Sequence, residues 1–251
     1  MAADIEKLGR MFADAWANHG QFSLDAAAEP QTAADAYRIQ DLVFAARYPG
    51  KSARVWKVGA ASAQSEPNAA PIGNVLASPA VVSGREFHML GIEAEVAFRL
   101  RKDLPASARN WSEEALSDAA GELLVTIELC DTRLADWKSA SPLWRLADFQ
   151  LNGALIGGSG TNDWRSIDFA AQHAELWING QKEIDRAGAH PLGNPVRLLP
   201  WAAGHCAQRT GGLSAGDLIT TGSWTGMQFV AQGDEVLARF PGIGEASLRI
   251  V

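Results

Sequence analysis

The chain has 251 residues, of which 47% are hydrophobic and 20% charged, so it can bury a substantial core and is too weakly charged to be disordered. Its formal net charge is −7 and it contains no run of basic residues, which argues against a nucleic-acid partner. No window approaches the roughly 20 apolar residues that span a bilayer, and no signal-peptide pattern opens the sequence, so we expect no membrane partner and a cytoplasmic location.

The N-terminal region, residues 1–52, is predicted to be helical. Apolar residues recur at helical spacing over residues 5–16. Thr32 is followed by Asp35 in the pattern of a capping box, which predicts the start of a second helix that ends at Pro49-Gly50.

The remaining region, residues 53–251, is predicted to be mixed and mainly β. Its short apolar runs predict strands at 54–59, 92–100, 122–130, 173–178, 181–185, 217–221 and 234–240. Asn179-Gly180 predicts a two-residue hairpin turn. Further helices are predicted at 112–120 and from Asn194-Pro195 onward, and the glycine-rich residues 157–160 are interpreted as a turn.

Glu93 and Glu95 are two acidic residues in the stretch of residues 91–98, in the first half of the predicted strand 92–100. Because side chains alternate along a strand, both point to the same face, with their α-carbons about 7 Å apart. Two carboxylates at this distance repel each other unless a cation or a proton lies between them. A hard divalent ion such as Mg²⁺ or Mn²⁺ satisfies them, while a solvated outer face of the strand is the alternative interpretation.

Glu128 lies in the otherwise nearly apolar run of residues 123–130. An ionised carboxylate is costly to bury without a partner, and a shared metal ion would supply that partner. Arg133 or a neighbouring backbone amide is the alternative partner.

Lys57 is a charged residue inside the apolar strand of residues 55–59. Such a lysine can bind an anionic substrate or transfer protons beside a metal. The alternative is a lysine on an edge strand, with its stem buried and its ammonium group in water.

The residues that follow Glu128 are weaker candidates. Asp131 can orient a ligand or pair with Arg133, and either residue can equally belong to a surface turn. Cys130 and Cys206 form neither a disulfide framework nor a metal-ligand spacing, and Cys130 is interpreted as a buried free thiol.

Taken together, the chain resembles the 2-keto-4-pentenoate hydratase and 4-oxalocrotonate decarboxylase group of the fumarylacetoacetate hydrolase superfamily. The stretches that carry this resemblance are residues 56–59 (WKVG), 91–98 (GIEAEVAF), 127–133 (IELCDTR), 152–158 (NGALIGG) and 216–223 (GDLITTGS).

This resemblance implies an α+β fold, a mixed β-roll with a helical N-terminal region, and a homo-oligomer. It implies Mg²⁺ or Mn²⁺ held by Glu93, Glu95 and Glu128, with Lys57 as the catalytic residue near the substrate carboxylate. In such enzymes the metal acts as a Lewis acid on a small 2-oxo acid and stabilises the enolate. Asn152, Asp131 and Arg133 are the substrate-binding candidates.

The sequence departs from the family pattern at two places. Hydratases of this group usually carry Pro-Asp-x-Gly where this chain has Pro71-Ile72-Gly73-Asn74, so an acidic residue expected to help proton transfer is absent. A serine-rich Ala-Ser-Ser-Gly is common where this chain has residues 150–153, Gln-Leu-Asn-Gly. Both differences alter the expected pocket without touching the metal ligands.

The leading functional hypothesis is a hydratase-like lyase acting on a 2-hydroxydienoate or related 2-oxo acid in the catabolism of aromatic compounds. A decarboxylase or a C–C bond hydrolase on the same scaffold is the alternative. A third possibility is a catalytically weak subunit that associates with a related decarboxylase or hydratase.

Overall fold

The computed structural model describes residues 3–106 and 111–251. Its helices are α1 (Ile5–Ala17), α2 (Ala33–Arg47), α3 (Glu113–Ala119), α4 (Pro142–Ala147) and α5 (Leu199–Thr210). Its strands are β1 (Val55–Gly59), β2 (Asn68–Pro71), β3 (Val75–Ala77), β4 (Ala80–Val82), β5 (Gly91–Leu100), β6 (Leu104–Pro105), β7 (Ala120–Cys130), β8 (Asn152–Thr161), β9 (His173–Ile178), β10 (Gln181–Ala187), β11 (Gly212–Leu213), β12 (Leu218–Thr220), β13 (Gln228–Phe229), β14 (Glu235–Phe240) and β15 (Gly244–Ile250). Within the described ranges, no helix combines the length and the apolar character needed to cross a membrane.

The elements with strong local signals form where the sequence predicts them. The Thr32 side chain and Asp35 form the capping box that begins α2. Asn179 and Gly180 both adopt positive φ, at 53° and 77°, in the tight turn between β9 and β10. The helix predicted from Asn194 begins instead as a 3₁₀ turn, and α5 starts only at Leu199, because Pro200 is tolerated in a first helical turn but not inside a helix.

An eight-stranded sheet forms the centre of the fold, in the order β2-β1-β12-β5-β7-β8-β3, with β13 added beside β5. The long strands β5 and β7 pair antiparallel along almost their whole length. One face of this sheet carries Ile92, Ala94, Val96 and Phe98, which join the main hydrophobic core. The opposite face carries the candidate carboxylates, followed along the strands by a small apolar cluster (Ile72, Ala97, Leu124, Leu155 and Leu218).

A five-stranded sheet, in the order β10-β9-β14-β15-β4, shares the main core with the first sheet. The glycine-rich residues 157–160 lie within β8 rather than in a turn, so the interpretation of this segment as a turn is wrong. A side chain at Gly158 would collide with the backbone of Glu245 in β15, and one at Gly160 with the backbone of Leu123 in β7. These glycines therefore permit close backbone contact within and between the sheets.

The N-terminal helices pack on the segment that leads into the candidate site. Leu8 and Phe12 of α1 and Ile39 of α2 form a separate buried cluster with Trp144 of α4. The fully buried Gln40 of α2 donates hydrogen bonds to the carbonyls of Ala69 and Leu146, at 3.2 and 2.6 Å, which ties α2 to β2 and α4.

The imidazole of His205 in α5 lies within a group of aromatic side chains. It stacks on Trp201 at a centroid distance of 4.5 Å and meets Tyr37 edge-on at 4.5 Å. Burial, with a smaller contribution from the Arg209 guanidinium, lowers the pKa of His205 from 6.5 to about 4.

We expect His205→Gln to weaken the acid sensitivity of the fold. Because the pKa is lower in the folded chain than in the unfolded chain, His205 contributes stability that is present above pH 6.5 and lost as the pH falls towards 4. For this partly exposed side chain, the free energy of unfolding falls by about 1–2 kcal/mol over this pH range. Denaturant unfolding of both proteins at pH 7.5 and 4.5 measures it, and an identical pH dependence would contradict the assignment.

Candidate metal centre

Strands β5 and β7 bring three carboxylates to one face of the central sheet. Glu93 lies directly opposite Glu128 in the antiparallel register, and Glu95 lies two residues further along β5, opposite Thr126. Glu95 and Glu128 are fully buried, whereas the Glu93 side chain is 15% exposed. The solvated-face interpretation of Glu93 and Glu95 therefore does not hold.

Lys57 of β1 reaches the same carboxylates. Its Nζ lies 2.7 Å from Glu128 Oε1 and 3.9 Å from Glu93 Oε2, and it donates a hydrogen bond to the Gln150 carbonyl at 3.1 Å. Burial by itself would lower the pKa of Lys57, but the charges of Glu128 and Glu93 outweigh it and raise that pKa. Because β1 lies between β2 and β12, Lys57 is not an edge-strand lysine.

Among the described residues, Lys57 is the cation paired with these carboxylates, and it does not balance their charge. When all four side chains are ionised, three negative charges face one positive charge, a formal net charge of −2. Burial raises the pKa of Glu93 and of Glu95, and the neighbouring Glu128 raises both further. A divalent cation would supply the missing positive charge.

The oxygen atoms also fit a cation. Glu95 Oε1 and Glu128 Oε2 are buried and have no hydrogen-bond partner among the described residues. Donor atoms of Glu93, Glu128 and Cys130 all lie within 4.8 Å of one another. Glu95 is not part of that tight set, and its Oε2 accepts a hydrogen bond from the Gly222 amide at 3.2 Å.

Asn152, the first residue of β8, lies beside the carboxylates. It is 4% exposed, and its Nδ2 donates to Glu128 Oε1 at 3.0 Å. Of the three substrate-binding candidates, Asn152 is the one whose side chain touches a candidate metal ligand.

Asp131 and Arg133 bind other parts of the protein. Asp131 Oδ1 accepts hydrogen bonds from the backbone amides of His88 and Met89, at 2.8 and 2.9 Å. The buried Arg133 donates from Nη1 to the Asn152 carbonyl at 3.1 Å and pairs through Nε with Asp148 at 2.5 Å. These contacts position the backbone around the carboxylates, while direct substrate contact by either residue stays a prediction.

An unusual backbone conformation links Asp148 to Asn152. The three consecutive residues Phe149, Gln150 and Leu151 have φ values of 56°, 54° and 61°, in the left-handed region. Each such non-glycine residue costs about 1–2 kcal/mol, so the surrounding contacts must hold the turn. The turn presents the Gln150 carbonyl to Lys57. The sequence gives no signal for this turn, because none of residues 149–151 is glycine, asparagine or aspartate, the residue types that favour the left-handed region.

We expect Arg133→Met to destabilise the fold by about 3–5 kcal/mol, because it leaves the buried Asp148 carboxylate without its cation. Burial already raises the pKa of Asp148 to about 6 against the opposing effect of Arg133. Loss of Arg133 raises that pKa further, so protonation relieves the penalty and the loss should be smaller at pH 5 than at pH 8. Denaturant unfolding at both pH values measures this effect.

Arg99→Met is the matched control, because Arg99 pairs with Glu122 at the surface with 47% of its side chain exposed. We expect its loss to cost less than about 1 kcal/mol. Equal losses for the two variants would contradict the structural role of Arg133.

Comparisons with known proteins show the family of the chain. The family model described as fumarylacetoacetate (FAA) hydrolase C-terminal matches residues 51–251. The 2-keto-4-pentenoate hydratase of Burkholderia vietnamiensis is 29% identical over 153 residues, which are 61% of this chain and 57% of that protein. The 4-oxalocrotonate decarboxylase of Pseudomonas putida is 28% identical over 160 residues, 64% of this chain and 60% of that protein. The chain thus aligns with less than two thirds of the length of these relatives.

The fold is found in a solved structure as well. The 4-oxalocrotonate decarboxylase from Pseudomonas putida G7, complexed with magnesium and adipate, superimposes with a TM-score of 0.83. The match covers 98% of this chain and 97% of that one at 24% sequence identity, a level that establishes the fold alone. It confirms the predicted mixed β-roll with a helical N-terminal region. Because the family model covers four fifths of its residues, the chain belongs to the fumarylacetoacetate hydrolase family.

Proposed function

We propose that this protein is a divalent-metal-dependent lyase that acts on a small 2-oxo acid or its 2-hydroxydienoate form. The observation that carries the proposal is the buried cluster of Glu93, Glu95 and Glu128, whose negative charge Lys57 balances only in part. Relatives named 2-keto-4-pentenoate hydratase and 4-oxalocrotonate decarboxylase support the substrate class.

In this proposal Glu93, Glu95 and Glu128 hold Mg²⁺ or Mn²⁺, because carboxylate oxygens are the ligands that these ions prefer. The bound ion supplies a Lewis acid that polarises a substrate oxygen and stabilises negative charge that develops on it. Glu95 would offer its unpartnered Oε1 to the ion, since its Oε2 already accepts a hydrogen bond from the Gly222 amide.

Lys57 is the proposed catalytic residue. Glu128 and the Gln150 carbonyl occupy two of its three N–H donors and fix the position of the ammonium group. The third donor is proposed to face the substrate carboxylate or to deliver a proton to a substrate carbon. Asn152 is proposed to bind a substrate oxygen, and Asp131 and Arg133 to support the site through the backbone segments that they hold.

The residue at position 72 favours a second candidate activity. Ile72 is 3% exposed and packs in an apolar cluster with Leu124 and Leu155, so no carboxylate is available at that position. Water addition to a diene needs an acid and a base, whereas decarboxylation needs only a proton donor once carbon dioxide has left. A decarboxylase that uses Lys57 as this donor is therefore the second candidate.

The test is the ultraviolet absorbance of 2-hydroxypenta-2,4-dienoate mixed with the protein in the presence of Mg²⁺ and then of a chelator. We expect magnesium-dependent loss of the dienol band and a 4-hydroxy-2-oxo acid as the product. Release of carbon dioxide from a 2-oxo-3-enedioate, without dienoate hydration, would support the decarboxylase instead. Failure of both reactions at saturating Mg²⁺ would contradict the proposal.

A further inference from the structure

Cys130 brings a sulfur atom into the carboxylate cluster. It follows Glu128 by two residues on β7, so the two side chains share a face of the strand. On the neighbouring strand it lies opposite Gly91, which is two residues before Glu93. The donor atoms of Cys130, Glu93 and Glu128 accordingly lie within 4.8 Å of one another.

Apart from the carboxylates, the surroundings of the Cys130 thiol are apolar side chains. Cys130 is a free cysteine with no exposed surface, and it packs against Met89, Leu151 and the partly buried Met227. A Cβ at Gly91 would lie 2.9 Å from the Met227 sulfur and 3.1 Å from Cys130 Cβ. Glycine at this position therefore gives the two sulfur-containing side chains their room beside the carboxylates.

One carboxylate oxygen of the cluster is available to bind a cation. Glu128 is fully buried, and its Oε2 has no hydrogen-bond partner among the described residues. The ligand atoms of Glu93, Glu128 and Cys130 lie within 4.8 Å of one another, so a sulfur is placed beside the carboxylates, a mixed ligand set that suits a borderline cation.

We propose that Cys130 makes this centre a mixed oxygen and sulfur site, which binds a thiophilic divalent cation such as Co²⁺ or Zn²⁺ through a metal–sulfur bond and more tightly than it binds Mg²⁺. The inference rests on the carboxylate site of the proposed function and adds a ligand to it. Sulfur is a poor ligand for Mg²⁺, so with Mg²⁺ the thiol stays protonated and outside the coordination shell. Co²⁺ or Zn²⁺ displaces the thiol proton to solvent as the bond forms.

The test is a titration of chelator-treated protein with Co²⁺, followed by near-ultraviolet absorbance and by calorimetry. A cobalt–thiolate bond gives a sulfur-to-metal charge-transfer band that carboxylate ligands do not give. We expect this band to saturate at one Co²⁺ per chain. In Cys130→Ser we expect no band, a roughly 10- to 100-fold weaker affinity for Co²⁺, and an affinity for Mg²⁺ within about twofold of the wild type.

Cys206→Ser is the matched control, since Cys206 is the other buried cysteine and lies in α5 within the main core. It should keep the band, and Cys130→Ala serves as a second variant if the serine variant does not fold. Binding of Co²⁺ without the band, or a band that persists in both Cys130 variants, would overturn the role of Cys130 while the carboxylate site stands. No binding of Co²⁺ to the wild type would overturn both proposals.

Discussion

Glu128→Gln is expected to lower metal-dependent turnover on the order of a thousandfold or more. The substitution keeps the shape of a fully buried side chain but removes the charge that Lys57 contacts at 2.7 Å. It also removes one of the carboxylates that fix the proposed cation. Steady-state kinetics over a range of Mg²⁺ concentrations measures the loss, and added Mg²⁺ should not restore the rate.

Glu122→Gln provides the matched control on the same strand. Glu122 pairs with Arg99 at 2.9 Å, and 34% of its side chain is exposed. We expect turnover within about twofold of the wild type, because exposed ion pairs contribute little. Wild-type activity in Glu128→Gln, or equal losses in the two variants, would show that the carboxylate cluster is not the catalytic centre.

Lys57→Met is expected to lower kcat by about 10²- to 10⁴-fold, the usual contribution of a positioned proton donor. Its effect on the affinity for Mg²⁺ should be opposite to that of Glu128→Gln, which we expect to weaken Mg²⁺ binding. Because the ammonium group lies among the carboxylates, its loss makes the centre more negative, and the affinity for Mg²⁺ should be retained or increased. Kinetics together with calorimetric Mg²⁺ titration separates the two effects.

For this variant the control is Lys182→Met, which replaces a lysine that pairs with Glu175 and Asp185 on the five-stranded sheet. Its kinetic constants should match those of the wild type. A Lys57→Met protein that turns over normally, or that loses Mg²⁺ binding together with activity, would contradict the assignment of Lys57 as a proton donor beside the metal.

Local signals in the sequence account for the elements that were predicted well. The Thr32–Asp35 capping box and the Asn179-Gly180 turn each act within four residues, so no distant contact is needed to recognise them. The shared face of Glu93 and Glu95 follows from strand alternation alone. Their approach to Glu128 does not follow from these signals, because it depends on the register between β5 and β7.

Strand β8 shows why other elements were not predicted. Its glycines, including Gly158 and Gly160, have low β-propensity and are more typical of turns. They occur here because neighbouring backbones leave no space for a side chain. This constraint arises from the packing of the sheets and cannot be recognised from the local sequence. The left-handed turn at residues 149–151 is likewise held by tertiary contacts, through the buried pair of Arg133 and Asp148.

The most direct test of the metal centre is calorimetric titration of the chelator-treated protein with Mn²⁺, which requires no substrate. We expect one Mn²⁺ per chain in the wild type, and at least a tenfold weaker affinity in each of Glu93→Gln, Glu95→Gln and Glu128→Gln. Wild-type affinity in all three variants, or no binding by the wild type, would contradict a metal centre built from these three carboxylates.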